Sequence, residues 1–173
     1  MYLQGFATFA YKTGWRVSEI ADLTWDRVDL DNGVVRLEKG ETKNKEARTV
    51  YLDDELRQDF IDQWETRRNG KRLLPCVFPN GSGNDKIKDF RCAWRNACQG
   101  ARIGKRLFHD FRRTAVRNMV RAGIPEGVAM KVSGHKTRSV FERYNIVNDA
   151  DLKLAAQRQE HYLQTQKDTI PNT

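Results

Sequence analysis

Cysteine is scarce in this chain. Cys76, Cys92 and Cys98 are an odd number in 173 residues, and no two have C-x-x-C spacing. That argues against a disulfide framework and a cysteine-built zinc site, and fits the reduced thiols of a cytoplasmic protein. Long apolar runs are missing too: none approaches the 18 or so residues that a membrane-spanning helix requires. Residues 1–10 lack the basic start and apolar stretch of a secretory signal. Only three histidines occur, and no tight carboxylate or Cys/His cluster has metal-ligand spacing, so neither a metal nor another cofactor is expected. Repeats, low-complexity tracts and a linker between domains are likewise not found.

What is present suits one folded domain spanning 1–173, with 39% hydrophobic and 10% aromatic residues. The formal charge is +8, and its placement matters more than its size. Residues 1–85 hold thirteen basic and fifteen acidic side chains, net −2. Residues 86–121 hold eleven basic side chains against Asp89 and Asp110, net +9. A block this concentrated is what a phosphate backbone needs, whereas charge serving solubility would be spread out.

The periodicity predicts a mainly helical α+β domain with a small three-stranded antiparallel sheet. Leu3, Phe6, Ala7 and Ala10 share one helical face, Thr13-Gly14 ends that helix, and 17–23 forms the next. Strands are expected at 24–30, 34–37 and 48–52, the first two joined by the hairpin signal Asp31-Asn32-Gly33. Asp53-Asp54-Glu55 opens a helix to about residue 68, its acids at the positive end. A packed turn at Val77-Phe78 follows. Helices are then expected at 86–100, 108–122, 125–132 and 137–143, with an amphipathic helix at 149–164 and a frayed tail over 166–173.

Several polar residues stand in suggestive places. His109 and Arg112 lie one helical turn apart, beside the inward stripe Phe108, Phe111, Ala115 and Met119, at a helix N-terminus that favours an anion. His135 sits in the turn Ser133-Gly134-His135-Lys136, and Tyr144 follows nine residues later. His161 reads as surface decoration. Singly, each is better read as an ordinary rim or salt-bridge residue. In order, however, TGWRVSE (13–19), TKNKEARTVYL (42–52), HDFRRTA (109–115), SGHK (133–136) and Tyr144 resemble the tyrosine recombinase, or phage integrase, family. The resemblance covers Thr13 to about Leu154, and it rests on five separate motifs in the right order.

That resemblance implies the catalytic-domain fold and a metal-independent DNA strand transferase acting through a 3′-phosphotyrosyl intermediate. Arg16 and Arg112 would clamp the non-bridging oxygens of the scissile phosphate, a task suited to planar guanidinium forks. His135 would add a third donor, and His109 would accept or orient the nucleophile's proton. Lys43, favoured over Lys45 because it follows Thr42, would be the general acid. Glu19 would hold Arg16. Tyr144 would be the nucleophile, and since only roughly one free phenol in a thousand is ionised at pH 7, it needs a base or a strongly cationic site. Trp15 stands where the family commonly has leucine and reads as a packing change. Arg91, Arg95, Lys105, Arg106, Arg113 and Lys136 are the candidates for gripping the backbone.

The expected partners are double-stranded DNA and further protomers, a tetramer on DNA for the full-length protein and a monomer or weak dimer for this fragment. The resemblance leads to the expectation that the family's N-terminal core-binding domain is absent from this chain, and hence that DNA binding is at ~10⁻⁶ M or weaker. The tail helix after Tyr144 could dock on its own domain or on a neighbour. Three rivals stand beside this reading: a type IB topoisomerase, a catalytically inactive DNA-binding module, and a metal-free ribonuclease.

Overall fold

A computed structural model describes residues 2–40, 47–69, 73–145 and 147–168. Among them the order is α1 (Gln4–Thr13), α2 (Val17–Ala21), β1 (Val28–Asp29), β2 (Val34–Leu37), β3 (Arg48–Tyr51), α3 (Asp54–Asn69), α4 (Arg91–Gly100), α5 (Asp110–Arg121), α6 (Glu126–Ser133), α7 (Arg138–Glu142) and α8 (Asp149–Asp168). The sheet is antiparallel in the order β1-β2-β3, with Val35 opposite both Val28 and Val50. This is the mainly helical plan with one small sheet that the periodicity predicts.

The apolar stripe of α1 organises the larger core. Leu3, Phe6, Phe9 and Ala10 are buried with Ile20, Leu23, Leu56, Phe60 and the Val77-Phe78 turn. Phe78 meets the rings of Phe6 and Phe60 edge-on at 5.7 and 5.6 Å. Each such side chain contributes about 1.5–3 kcal/mol on burial. A second cluster (Ala115, Val116, Met119, Ala129 and Phe141) joins α5, α6 and α7, and Tyr144 packs against its edge. The long α1–α5 contact links the two clusters.

Three of the boundaries that differ from those expected have a structural reason or consequence. The segment 24–30 is largely not strand: a 3-10 turn at Trp25–Arg27 precedes β1. Its backbone pairs with the 75–77 turn instead, through the Trp25 N–H to the Pro75 carbonyl at 2.9 Å, while the Trp25 ring packs on Trp64. The helix expected from 86 begins at Arg91, because Lys86 bridges to Pro79 and the Asp89 carboxylate accepts the Arg91 N–H at 2.9 Å. The helix expected to end near 164 continues through Asp168; 169–173 lie outside the described residues. Apart from the half-buried Asp151, α8 lies open along its described side chains: Leu152, Tyr162 and Leu163 are all exposed.

Candidate active site

Two helix ends converge to make the pocket. α1 stops at Gly14, whose left-handed backbone (φ 67°) lets its N–H bond the Ala10 carbonyl at 2.9 Å. α6 stops in the same way at Gly134 (φ 71°), with its N–H on the Met130 carbonyl at 2.8 Å. Any other residue would strain both turns by about 1–2 kcal/mol. At Gly134 a Cβ would also fall on the Arg48 guanidinium. The carbonyls of Gly14 and Ser133 are thereby turned onto one cation, Nη1 of Arg112, the second at 2.6 Å. Arg112 is only 4% exposed. Carbonyls at the negative ends of two helices partly offset the cost of burying it. Burial, then the nearby Arg16, pull its pKa down to about 10, so it stays charged at neutral pH.

Glu19 is the anionic counterpart. It lies one turn into α2, and its carboxylate accepts the Arg16 backbone N–H at 3.0 Å and Arg16 Nη1 at 2.8 Å. It also accepts two bonds from Arg48 of β3, at 2.9 and 3.4 Å. Burial pushes this carboxyl up, but the hydrogen bonds and charge of Arg48 and Arg16 prevail and hold it below the usual carboxylate range. The Arg48 guanidinium also lies 5.1 Å from the centre of the Trp15 ring, and the Trp15 indole N–H donates to the Val132 carbonyl at 2.9 Å. Trp15 is therefore more than a packing change, for it ties the α1–α2 corner to α6.

The histidines and the tyrosine complete the group. His135 is buried, its Nδ1 2.8 Å from the Ser133 hydroxyl and its ring centre 4.8 Å from that of Tyr144. Burial first, and then Arg112, Arg16, Arg48 and His109, lower its pKa to about 3, so it is neutral in the free protein. His109, exposed at the start of α5, places Nε2 3.3 Å from the Tyr144 hydroxyl. The Arg112 cation lies 5.8 Å from the centre of the Tyr144 ring. The arrangement can hold an anion against Arg112 and Arg16 while a phenol attacks it and passes its proton to an imidazole.

Of the residues singled out by motif, Arg16, Glu19, His109, Arg112, His135 and Tyr144 are brought together here. Lys43, like Lys45, lies outside the described residues. Arg91, Arg95, Lys105 and Arg106 line a separate cavity of about 670 Å³ with Trp94. Lys136 lines one of about 690 Å³ with Arg48 and His135. Arg113 stands exposed on α5. Sequence reasoning missed Arg48 as a member of the site. Strand alternation carried its signal, since period two puts Arg48 on the buried face with Val50, where a lone cation demands an acid.

The sequence pattern described as the phage integrase family matches residues 1–151. The chain is 31% identical over 161 residues to the shufflon-specific DNA recombinase of Escherichia coli, covering 91% of this chain and 38% of that protein. It thus spans about two fifths of that relative's length. The fold is similar to that of XerA recombinase, with a TM-score of 0.74 and 18% identity over 91% of this chain and 62% of the other. It is also similar to the Tn1549 transposon integrase solved in complex with transposon right end DNA, with a TM-score of 0.71 and 16% identity over 90% of this chain and 58% of that one.

Proposed function

The chain belongs to the phage integrase family, and from that premise we propose that residues 1–173 form the catalytic domain of a site-specific DNA recombinase with Tyr144 as its nucleophile. The observation that carries this reading is the Tyr144 hydroxyl at 3.3 Å from His109 Nε2, on a ring that faces the buried Arg112 cation. In the reaction, Tyr144 Oη forms a bond to phosphorus while the bond from phosphorus to the 5′ oxygen breaks. The phenolic proton passes to His109 Nε2. The departing 5′ oxygen takes a proton from Lys43. Arg112 and Arg16 neutralise the non-bridging oxygens as charge builds in the transition state, and donors of this kind are worth about 10²–10³ in rate each. The second step runs in reverse with a new 5′ hydroxyl, so the number of phosphodiester bonds is conserved.

Double-stranded DNA is the substrate in this reading, with Arg91, Arg95, Lys105, Arg106, Arg113 and Lys136 along the backbone path, further protomers as partners, and the cytoplasm as the compartment. Among the described residues no helix is long and apolar enough to cross a membrane. The test is a nicked duplex carrying the protein's own recombination site. Wild type should yield a denaturant-resistant protein–DNA adduct, and Tyr144→Phe should yield none. An adduct from Tyr144→Phe would remove the nucleophile assignment. Wild type that binds the duplex without any adduct would remove the recombinase reading.

A further inference from the structure

The hydrogen bonds around Ser133 determine which nitrogen of His135 carries its proton. The Ser133 hydroxyl lies 2.6 Å from the Ala129 carbonyl and 2.8 Å from His135 Nδ1, with the Met130 carbonyl further off at 3.5 Å. A hydroxyl has one proton to give, and a carbonyl has none. The 2.6 Å contact therefore holds the hydroxyl proton. The serine oxygen can then only accept from His135, so Nδ1 bears the N–H. In a neutral imidazole that leaves Nε2 bare. Nε2 is buried and has no hydrogen-bond partner among the described residues.

A bare nitrogen faces a phosphoryl oxygen lone pair to lone pair. We infer that Ser133 is a positioning residue that locks His135 in the Nδ1–H form, so that His135 becomes a donor to the scissile phosphate only by taking up one proton from solvent as the phosphate enters. This rests on the recombinase reading for the identity of the anion, though the tautomer itself does not. The groups around the imidazole make the coupling intelligible. Arg16 just before α2, Glu19 of α2, Arg48 of β3, His109 and Arg112 beside and on α5, Lys136 in the same turn, and Tyr144 after α7 surround it. Burial opposes an imidazolium in the free protein, and the cations among them oppose it further. An arriving phosphate cancels part of that positive field and offers Nε2–H an acceptor, so both obstacles fall together. Uptake of a whole proton makes phosphate affinity fall about tenfold per pH unit between the free and bound pKa values.

Nitrogen-15 spectra of the histidine-labelled chain test this, with and without inorganic phosphate as the probe. The free protein should show His135 protonated at Nδ1 alone, and added phosphate should protonate both nitrogens. An Nε2–H signal in the free protein overturns the tautomer assignment. A spectrum that phosphate leaves neutral overturns proton uptake. Ser133→Ala should shift His135 toward the Nε2–H form, while Ser133→Thr, which keeps the hydroxyl, should retain Nδ1–H. The wild-type spectrum decides the matter even if Ser133→Ala does not fold. Adduct formation on the nicked duplex is scored separately, so a failed tautomer prediction and a failed recombinase reading give different results.

Discussion

Glu19, Arg48, Arg112 and His135 are each less than a tenth exposed, whereas His109 is open to solvent and Tyr144 is half-buried at the end of the five-residue α7. The first group is held by five side-chain hydrogen bonds from the arginines to Glu19 and to two helix-end carbonyls, the second by one side-chain hydrogen bond of 3.3 Å. One pocket is thus built in two ways. Its anion clamp is part of the core, set by the same turns that end α1 and α6. Its proposed nucleophile, Tyr144, stands half-buried at the rim, where moving onto and off a phosphorus atom would disturb little packing. Preorganised charge needs rigidity, and a group that must travel needs the reverse.

The largest effect should separate the two halves by stability. Glu19→Ala leaves Arg48 buried without its acid, which should cost about 3–5 kcal/mol in urea unfolding. Tyr144→Phe removes only a hydroxyl at the rim and should change stability by less than about 0.5 kcal/mol. Equal losses would erase the distinction between clamp and nucleophile. Next comes Arg112→Lys, which keeps the charge but cannot serve two carbonyls and a phosphate through one planar fork. Adduct formation should slow by about 10²–10³-fold. A rate within threefold of wild type would mean that the carbonyl clamp is not what orients the cation.

The pH dependence of folding sharpens the comparison further. His135 has a folded pKa of about 3 against an ordinary value of 6.5, so between these limits the unfolded chain binds a proton that the folded one refuses. Its contribution is complete above pH 6.5 and is lost as pH falls, by about 1.4 kcal/mol per unit. From pH 6.5 to 4.5 the loss is roughly 2–3 kcal/mol. Glu19, with its folded pKa depressed, adds a loss of the same sign, but only below the ordinary carboxylate value of 4.5. His135→Asn should therefore flatten the upper limb and leave the lower one. A slope unchanged above pH 4.5 would show that His135 is not the group responsible.

Much of this was legible before any coordinates, and the rest has identifiable reasons for being hidden. The two glycine turns, TGWR and SGHK, mark helix ends by composition alone, and His109 and Arg112 share a face by spacing. The strand expected at 24–30 failed because Thr24 and Trp25 suit a strand or an aromatic-packed turn equally well, and the 75–77 segment took their backbone. The start of α4 was misplaced because Lys86, Lys88 and Phe90 continue a helical rhythm, while the cap signal of Asp89 went unread. Arg48 opens the strand expected at 48–52, but a cation on that strand's buried face was not matched to the acid it demands. The role of Ser133 needs a distance of 2.6 Å, which no spacing rule supplies. Local signals located the elements and the motif residues; the bonds between motifs came only with the tertiary fold.

The smallest expected effect provides a control outside the pocket. Lys12 of α1 reaches both Asp53 and Glu55 at the start of α3, each at 2.6 Å, so its geometry is at least as close as that of Arg48 on Glu19. Yet the Asp53 and Glu55 side chains are 56% and 67% exposed. Water has not been stripped from these carboxylates, so removing their partner strands no buried charge. A double-mutant cycle of Lys12→Ala with Asp53→Asn should give a coupling of only about 0.2–1 kcal/mol. It should shrink further in 1 M salt, where charges a few ångströms apart are screened. The Glu19–Arg48 pair, shielded from solvent, should keep most of its coupling at the same salt. If the exposed pair matched the buried one in size and salt resistance, distance rather than burial would govern both, and the two-part account of the pocket would lose its physical basis.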